Sequence, residues 1–69
     1  MIVKLILDGL AHVVHIRRNE TTKKRVARVH HPISRVPVKV LEEQEPGVFM
    51  DSVENERFRL YPFSSMVRM

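Results

Sequence analysis

Five cations crowd the stretch Ile16 to Arg25, IRRNETTKKR, and a sixth, Arg28, follows three residues later. Arg17, Arg18, Lys23, Lys24, Arg25 and Arg28 are the residue types that grip backbone phosphates. Forked guanidiniums and point-charge ammonium groups hold such anions whatever the base sequence. On an extended chain alternate residues share a face about 6.8 Å apart. Arg17, Lys24 and Arg28 are therefore expected to form one stripe, with Arg18, Lys23 and Arg25 around a hairpin tip and His15 and His30 extending the same surface as donors. A cationic β-ribbon of this kind can enter a duplex groove. The competing reading is a solvated hairpin whose Lys and Arg discourage edge-to-edge pairing.

The charge balance supports a polyanion partner without proving one. Residues 1–40 hold nine Lys/Arg against Asp8 and Glu20, a net of +7. Residues 41–69 hold three against six carboxylates, a net of −3, and together they give the chain's +4. Asymmetry between halves is a recognised mark of nucleic-acid or membrane-surface contact. Single-strand binders add aromatic stacking platforms to the basic groove. Here Phe49, Phe58, Tyr61 and Phe63 all lie in the acidic half, with Phe58 expected in the core and Tyr61 and Phe49 as the candidates to face outward. Recognition of backbone or shape is the expectation.

Other chemistry is poorly provided for. His12 and His15 point to opposite faces of a strand, as do His30 and His31. A two-histidine site from His12 and His31 lacks the further ligands that structural zinc takes. There is no cysteine, so disulfides and thiolate sites are excluded. Ser34, Ser52, Ser64 and Ser65 stand in no nucleophile elbow, two glycines make no phosphate loop, and Glu42, Glu43 and Glu45 read as solvated carboxylates of one loop. The expectation is a non-enzymatic protein with no cofactor and no metal.

The elements that must position the cations are short strands. Val/Ile/Leu-rich runs alternate with turn signals, and no long 3.6-residue period or internal repeat is evident. Asp8-Gly9 between apolar runs predicts a type I′ hairpin, pairing Leu7 with Leu10, Leu5 with His12 and Val3 with Val14, and on the other face Ile2 with His15. A four-residue loop at Asn19–Thr22 would pair Arg18 with Lys23, Ile16 with Arg25 and Val14 with Ala27. The inner face is then Val3, Leu5, Leu7, Leu10, Val14, Ile16, Ala27 and Val29. Val36, Val38 and Val40 share a face of a strand that Pro37 marks as an edge or a broken start. Glu42 to Gly47 reads as an acidic loop, Val48–Met50 as a strand, Asp51–Glu54 as a capping box opening a helical turn, and Arg57–Tyr61 as a strand with Phe58 and Leu60 inward. The fold class is all-β: a small five- to six-stranded, strongly twisted sheet or partly open SH3-like/OB-like barrel, opening with a three-stranded meander.

A chain of 69 residues buries only roughly 60% of its unfolded surface, so help from packing or assembly is expected. One domain over residues 1–63 is followed by an apolar tail, 64–69, expected either to cap the open end of the sheet or to act as an interaction segment. Phe63, Met66, Val67 and Met69 are its candidate partner-binding residues, since free tails are normally polar. No membrane span or signal peptide is expected, and a cytoplasmic location suits the lack of cysteine. Two functions fit. One is a nucleic-acid-binding accessory protein contacting DNA or RNA phosphates through the basic hairpin. The other is a protein–protein interaction module, whether small subunit, inhibitor or viral assembly protein, docking or self-associating through the basic face and apolar C-terminus.

Overall fold

The Asp8-Gly9 turn starts the barrel as its sequence demands: both residues have positive φ, 50° and 78°, the twist that a two-residue hairpin needs. In a computed structural model describing residues 1–61 and 65–69, the strands are β1 (Ile2–Leu7), β2 (Leu10–Arg18), β3 (Arg25–His30), β4 (Pro37–Glu45), β5 (Val48–Asp51), β6 (Arg57–Tyr61) and β7 (Ser65–Arg68). The β1/β2 register, Leu7–Leu10 through Ile2–His15, is the one the turn predicts. No helix among the described residues is long and apolar enough to cross a membrane.

The small all-β barrel expected from sequence is present, but it is closed and seven-stranded rather than five- to six-stranded and partly open. Each strand pairs with the next in sequence, and β7 returns to β1. This order differs from the Greek key of an OB fold. An odd-numbered meander leaves its first and last strands running the same way, so the seam is parallel: Lys4 pairs with Ser65 and Leu5 with Met66. Residues 65–68 of the expected apolar C-terminal segment are thus the strand that removes both open edges.

The second hairpin differs from expectation by two residues. Arg18 pairs with Arg25, Ile16 with Ala27 and Val14 with Val29, because Asn19–Lys24 forms a six-residue loop. Asn19 N–H donates to the Lys24 carbonyl and Lys23 N–H to the Asn19 carbonyl, both at 2.7 Å. Asn19 Oδ1 accepts the Thr21 and Thr22 N–H groups at 2.9 and 3.1 Å, and Lys23 takes φ 63°. A two-residue shift keeps every side chain on its expected face, so the inner set survives, except that Leu10 is exposed.

The same loop recurs twice. In the segment from His31 to Val36, His31 Nδ1 accepts the Ile33 and Ser34 N–H groups at 3.2 Å, and Arg35 has φ 63°. In the segment from Asp51 to Glu56, Asp51 Oδ1 accepts Val53 N–H at 2.8 Å, and Asn55 has φ 58°. In both, the first N–H bonds the sixth carbonyl and the fifth N–H the first carbonyl. The expected helical turn at Asp51 is this loop instead. Asn, His and Asp are interchangeable in it because each offers one acceptor two bonds from Cβ, so the repeat leaves no common residue in the sequence.

The core holds Val3, Leu5, Leu7, Val14, Ile16, Ala27, Val29, Leu41, Phe49, Phe58 and Met66, with Leu60 against it. Phe49 is fully buried, not outward-facing. Strand β4 inverts the hydrophobic rule. Glu42–Glu45 belong to the strand, not to a loop. Val38 and Val40 face solvent at 46% and 55% exposure, while Leu41 is buried between half-buried Lys39 and Glu43. The two inward charges are tolerated because partners from the flanking strands β3 and β5 and from the segment after β5 meet them.

Candidate nucleic-acid interface

The outward face of β2 and β3 carries the cationic ladder. Cross-strand neighbours are Arg17 with Val26, His15 with Arg28, and Val13 with His30. Arg17 and Arg28 are exposed and form no ion pair among the described residues. Arg18 continues the ladder onto the loop, where Nη1 donates to the Lys23 carbonyl at 3.1 Å. Lys23 lies 3.7 Å from Glu20 and Lys24 3.6 Å from Glu42. These pairs are solvent-exposed, each worth about 0.2–1 kcal/mol, and yield readily to a stronger anion. Lys24 sits in the loop beside the stripe, not within it. Arg17, Arg18, Asn19, Glu20, Val26 and Arg28 line a shallow groove along this end.

Arg25 leaves the set. Its side chain turns into the barrel mouth, where Nε and Nη2 donate to Glu43 Oε1 and Oε2 at 3.0 and 2.6 Å. The guanidinium carbon stands 5.5 Å from the centroid of the Phe49 ring, within cation–π range. Glu43 also accepts the Gly47 N–H at 2.9 Å. The Arg25 hydrogen bonds hold the Glu43 carboxyl below its ordinary range against the opposing effect of burial, and the same bonds raise the Arg25 pKa. Spacing alone placed Arg25 at the hairpin tip. In the strand it opens β3 opposite Arg18 and shares the inward parity of Ala27 and Val29, which either register gives it.

The other mouth holds a charge cluster that the sequence did not disclose. Lys39 Nζ lies 2.9 Å from Glu56, 3.2 Å from Glu54 and 3.3 Å from Asp51, and Arg68 pairs with Glu56 at 2.9 Å while covering the Phe58 ring. The hydrogen bond to Glu56 leads in raising the Lys39 pKa, against desolvation. The Val53 N–H leads in lowering Asp51, and the Lys39 hydrogen bond leads in lowering Glu56. Asp51, Glu54 and Glu56 are the one group of three potential metal ligands among the described residues, and the ammonium of Lys39 stands among them.

Histidines pair across the sheet. His15 and His30 meet edge to face with centroids 5.4 Å apart on the outer face. His12 and His31 do so at 5.8 Å. His12 is buried, and its Nδ1 donates to the Leu10 carbonyl at 3.0 Å. His15 and His30, expected on the basic face as donors, are there also rings on which a base can stack, a role that the search among Phe and Tyr leaves out. The period-2 alternation of His15 and His30 with the cations was the signal available.

Of the candidate partner-binding residues, Met66 is in the core at 2% exposure, while Val67 and Met69 are exposed. Phe63 lies outside the described residues. Compared with protein-family models, curated proteins and solved structures, the chain matches none significantly.

Proposed function

We propose that this is a small, non-enzymatic, cytoplasmic nucleic-acid-binding accessory protein, its phosphate contacts made by the outward face of β2–β3 and the Asn19–Lys24 loop. The observation that carries the reading is that Arg17 and Arg28 project from one rigid face without a carboxylate partner among the described residues. Arg18, Lys23 and Lys24 flank that face with donors that are unpaired or only loosely paired. Phosphate binding needs such donors fixed relative to one another, and positions backbone before any base is read.

Titration with short nucleic acids at several salt concentrations tests this. Five engaged phosphates give a log–log slope of about −4.5 for duplex and about −3.5 for single strands. Arg17→Glu with Arg28→Glu should flatten the duplex slope by about 1.8 with the fold intact. Absence of binding at low salt rejects the proposal.

A second reading, docking on a protein partner or a second copy, draws on a different observation. Val26, Val38, Val40, Met50 and Val53 line an outer groove of about 440 Å³ together with polar and charged residues that include the Lys39, Asp51 and Glu54 cluster. Sedimentation of the free protein separates self-association through this groove from a monomer.

A further inference from the structure

The β2–β3 face offers more than charge. Beside the His15–His30 pair lies a cavity of about 260 Å³ lined by Val13, His15, His30, His31, Pro32 and Arg35. Its lining is apolar at Val13 and Pro32, aromatic at the histidines, and cationic at Arg35, which forms no ion pair among the described residues. At about 30 Å³ per water molecule, the space takes several waters and so admits one planar ring system. Imidazole is among the side chains on which unstacked bases sit, and arginine planes serve the same purpose.

The cavity is also preorganised. His31 Nδ1 accepts two loop N–H groups at 3.2 Å, which holds the ring. The backbone that carries Arg35 is set by the loop, with φ 63° and its N–H bonded to the His31 carbonyl at 3.0 Å, while the guanidinium is exposed. A site already in its bound shape loses less conformational freedom on binding.

The barrel bears on which nucleic acid fits. A major groove admits a two-stranded β-ribbon, but β2 and β3 are no free ribbon. β1 occupies the outer edge of β2 and β4 that of β3, so only the Asn19–Lys24 loop is slender enough to enter. A base within a duplex cannot reach a cavity on this broad face. An unpaired one can.

We infer that the cavity receives one unpaired base of single-stranded nucleic acid, stacked on His30 and met at its edge by His15, whose ring plane stands 75° from that of His30, with the adjoining phosphates met by Arg35 and by Arg28, the cross-strand neighbour of His15. This rests on the reading of the β2–β3 face as a phosphate surface.

The test compares oligothymidylate, an abasic oligomer of equal length and a duplex of equal length, binding to the full chain at a matched series of salt concentrations. One stacked base should give oligothymidylate an advantage of about tenfold over the abasic strand. His30→Ala should remove most of that advantage while leaving the salt slope unchanged, since no phosphate contact is lost. Equal affinity of the wild-type protein for the abasic strand and oligothymidylate overturns the inference, as does a duplex bound more tightly than the single strand. In both outcomes the phosphate reading survives. No binding to any of the three overturns both. The wild-type comparison decides the matter even where His30→Ala perturbs the fold.

Discussion

Arg25→Ala and Arg28→Ala should separate what holds the barrel together from what it presents. The two arginines lie on one strand, three residues apart, but on opposite faces of the sheet. Arg25 makes two charge-assisted bonds to Glu43, at 3.0 and 2.6 Å, and covers Phe49. The two side chains retain 26% and 16% of their exposure. The pair therefore falls between an exposed pair, worth about 0.2–1 kcal/mol, and a buried one whose breakage costs about 3–5 kcal/mol. With solvent screening allowed for, loss of Arg25 should cost about 2 kcal/mol. In a domain this small that lowers Tm by about 8–16 °C. Arg28→Ala should stay within about 0.5 kcal/mol of the wild type while weakening nucleic-acid binding, whereas Arg25→Ala, kept below its own melting range, should bind unchanged. Thermal and urea melts followed by circular dichroism supply the stabilities, and a cycle with Glu43→Gln isolates the pair. The pH dependence has a definite sign. Because the Glu43 pKa is lowered by folding, its contribution is complete above the ordinary carboxylate range and is lost as pH falls through the lowered value. The gap between wild type and Arg25→Ala should thus be widest near neutrality and narrow only as pH falls below the ordinary glutamate range. A variant melting within about 2 °C of the wild type would mean the pair is screened, and Arg25 would return to the phosphate-gripping set.

Lys39→Met should lower the urea midpoint at neutral pH, since three carboxylates lose their common cation. Asp51 and Glu56 have lowered pKa values in the fold, so the deficit should narrow as acid protonates them. A deficit identical at pH 7 and pH 4 would assign the loss to packing of the lysine stem instead. Deleting residues 65–69 should abolish cooperative folding. It removes Met66, whose truncation alone costs about 2–5 kcal/mol, and bares the edges of β1 and β6. A strand-type circular dichroism spectrum surviving in a monomeric truncated protein would show that β7 is dispensable.

Several elements were legible from local chemistry. Asp8-Gly9 named its own turn and with it six cross-strand pairs. Period-2 alternation sorted the first three strands into inner and outer faces, and a loop two residues longer than expected left that sorting intact because side-chain parity repeats every two residues. The outward placing of Arg17, Arg28, His15 and His30 came from the same rule. The Asn19–Lys24, His31–Val36 and Asp51–Glu56 loops were not legible as one repeat, because an acceptor atom defines them rather than a residue type.

Within the chain, then, turn chemistry and alternation determined that this is a meander of short strands with a basic outer face. Tertiary structure decided the rest. Closure depends on β1 meeting β7, strands some sixty residues apart, and no local signal encodes that meeting. The valines of β4 face water and Lys39 and Glu43 face inward because Ala27–Leu41 pairing sets the strand's parity. Arg25, Asp51 and Glu56 then arrive from other strands and loops to neutralise the two inward charges. A charge is admitted to an interior only with its partner, and that partner is a property of the assembled barrel.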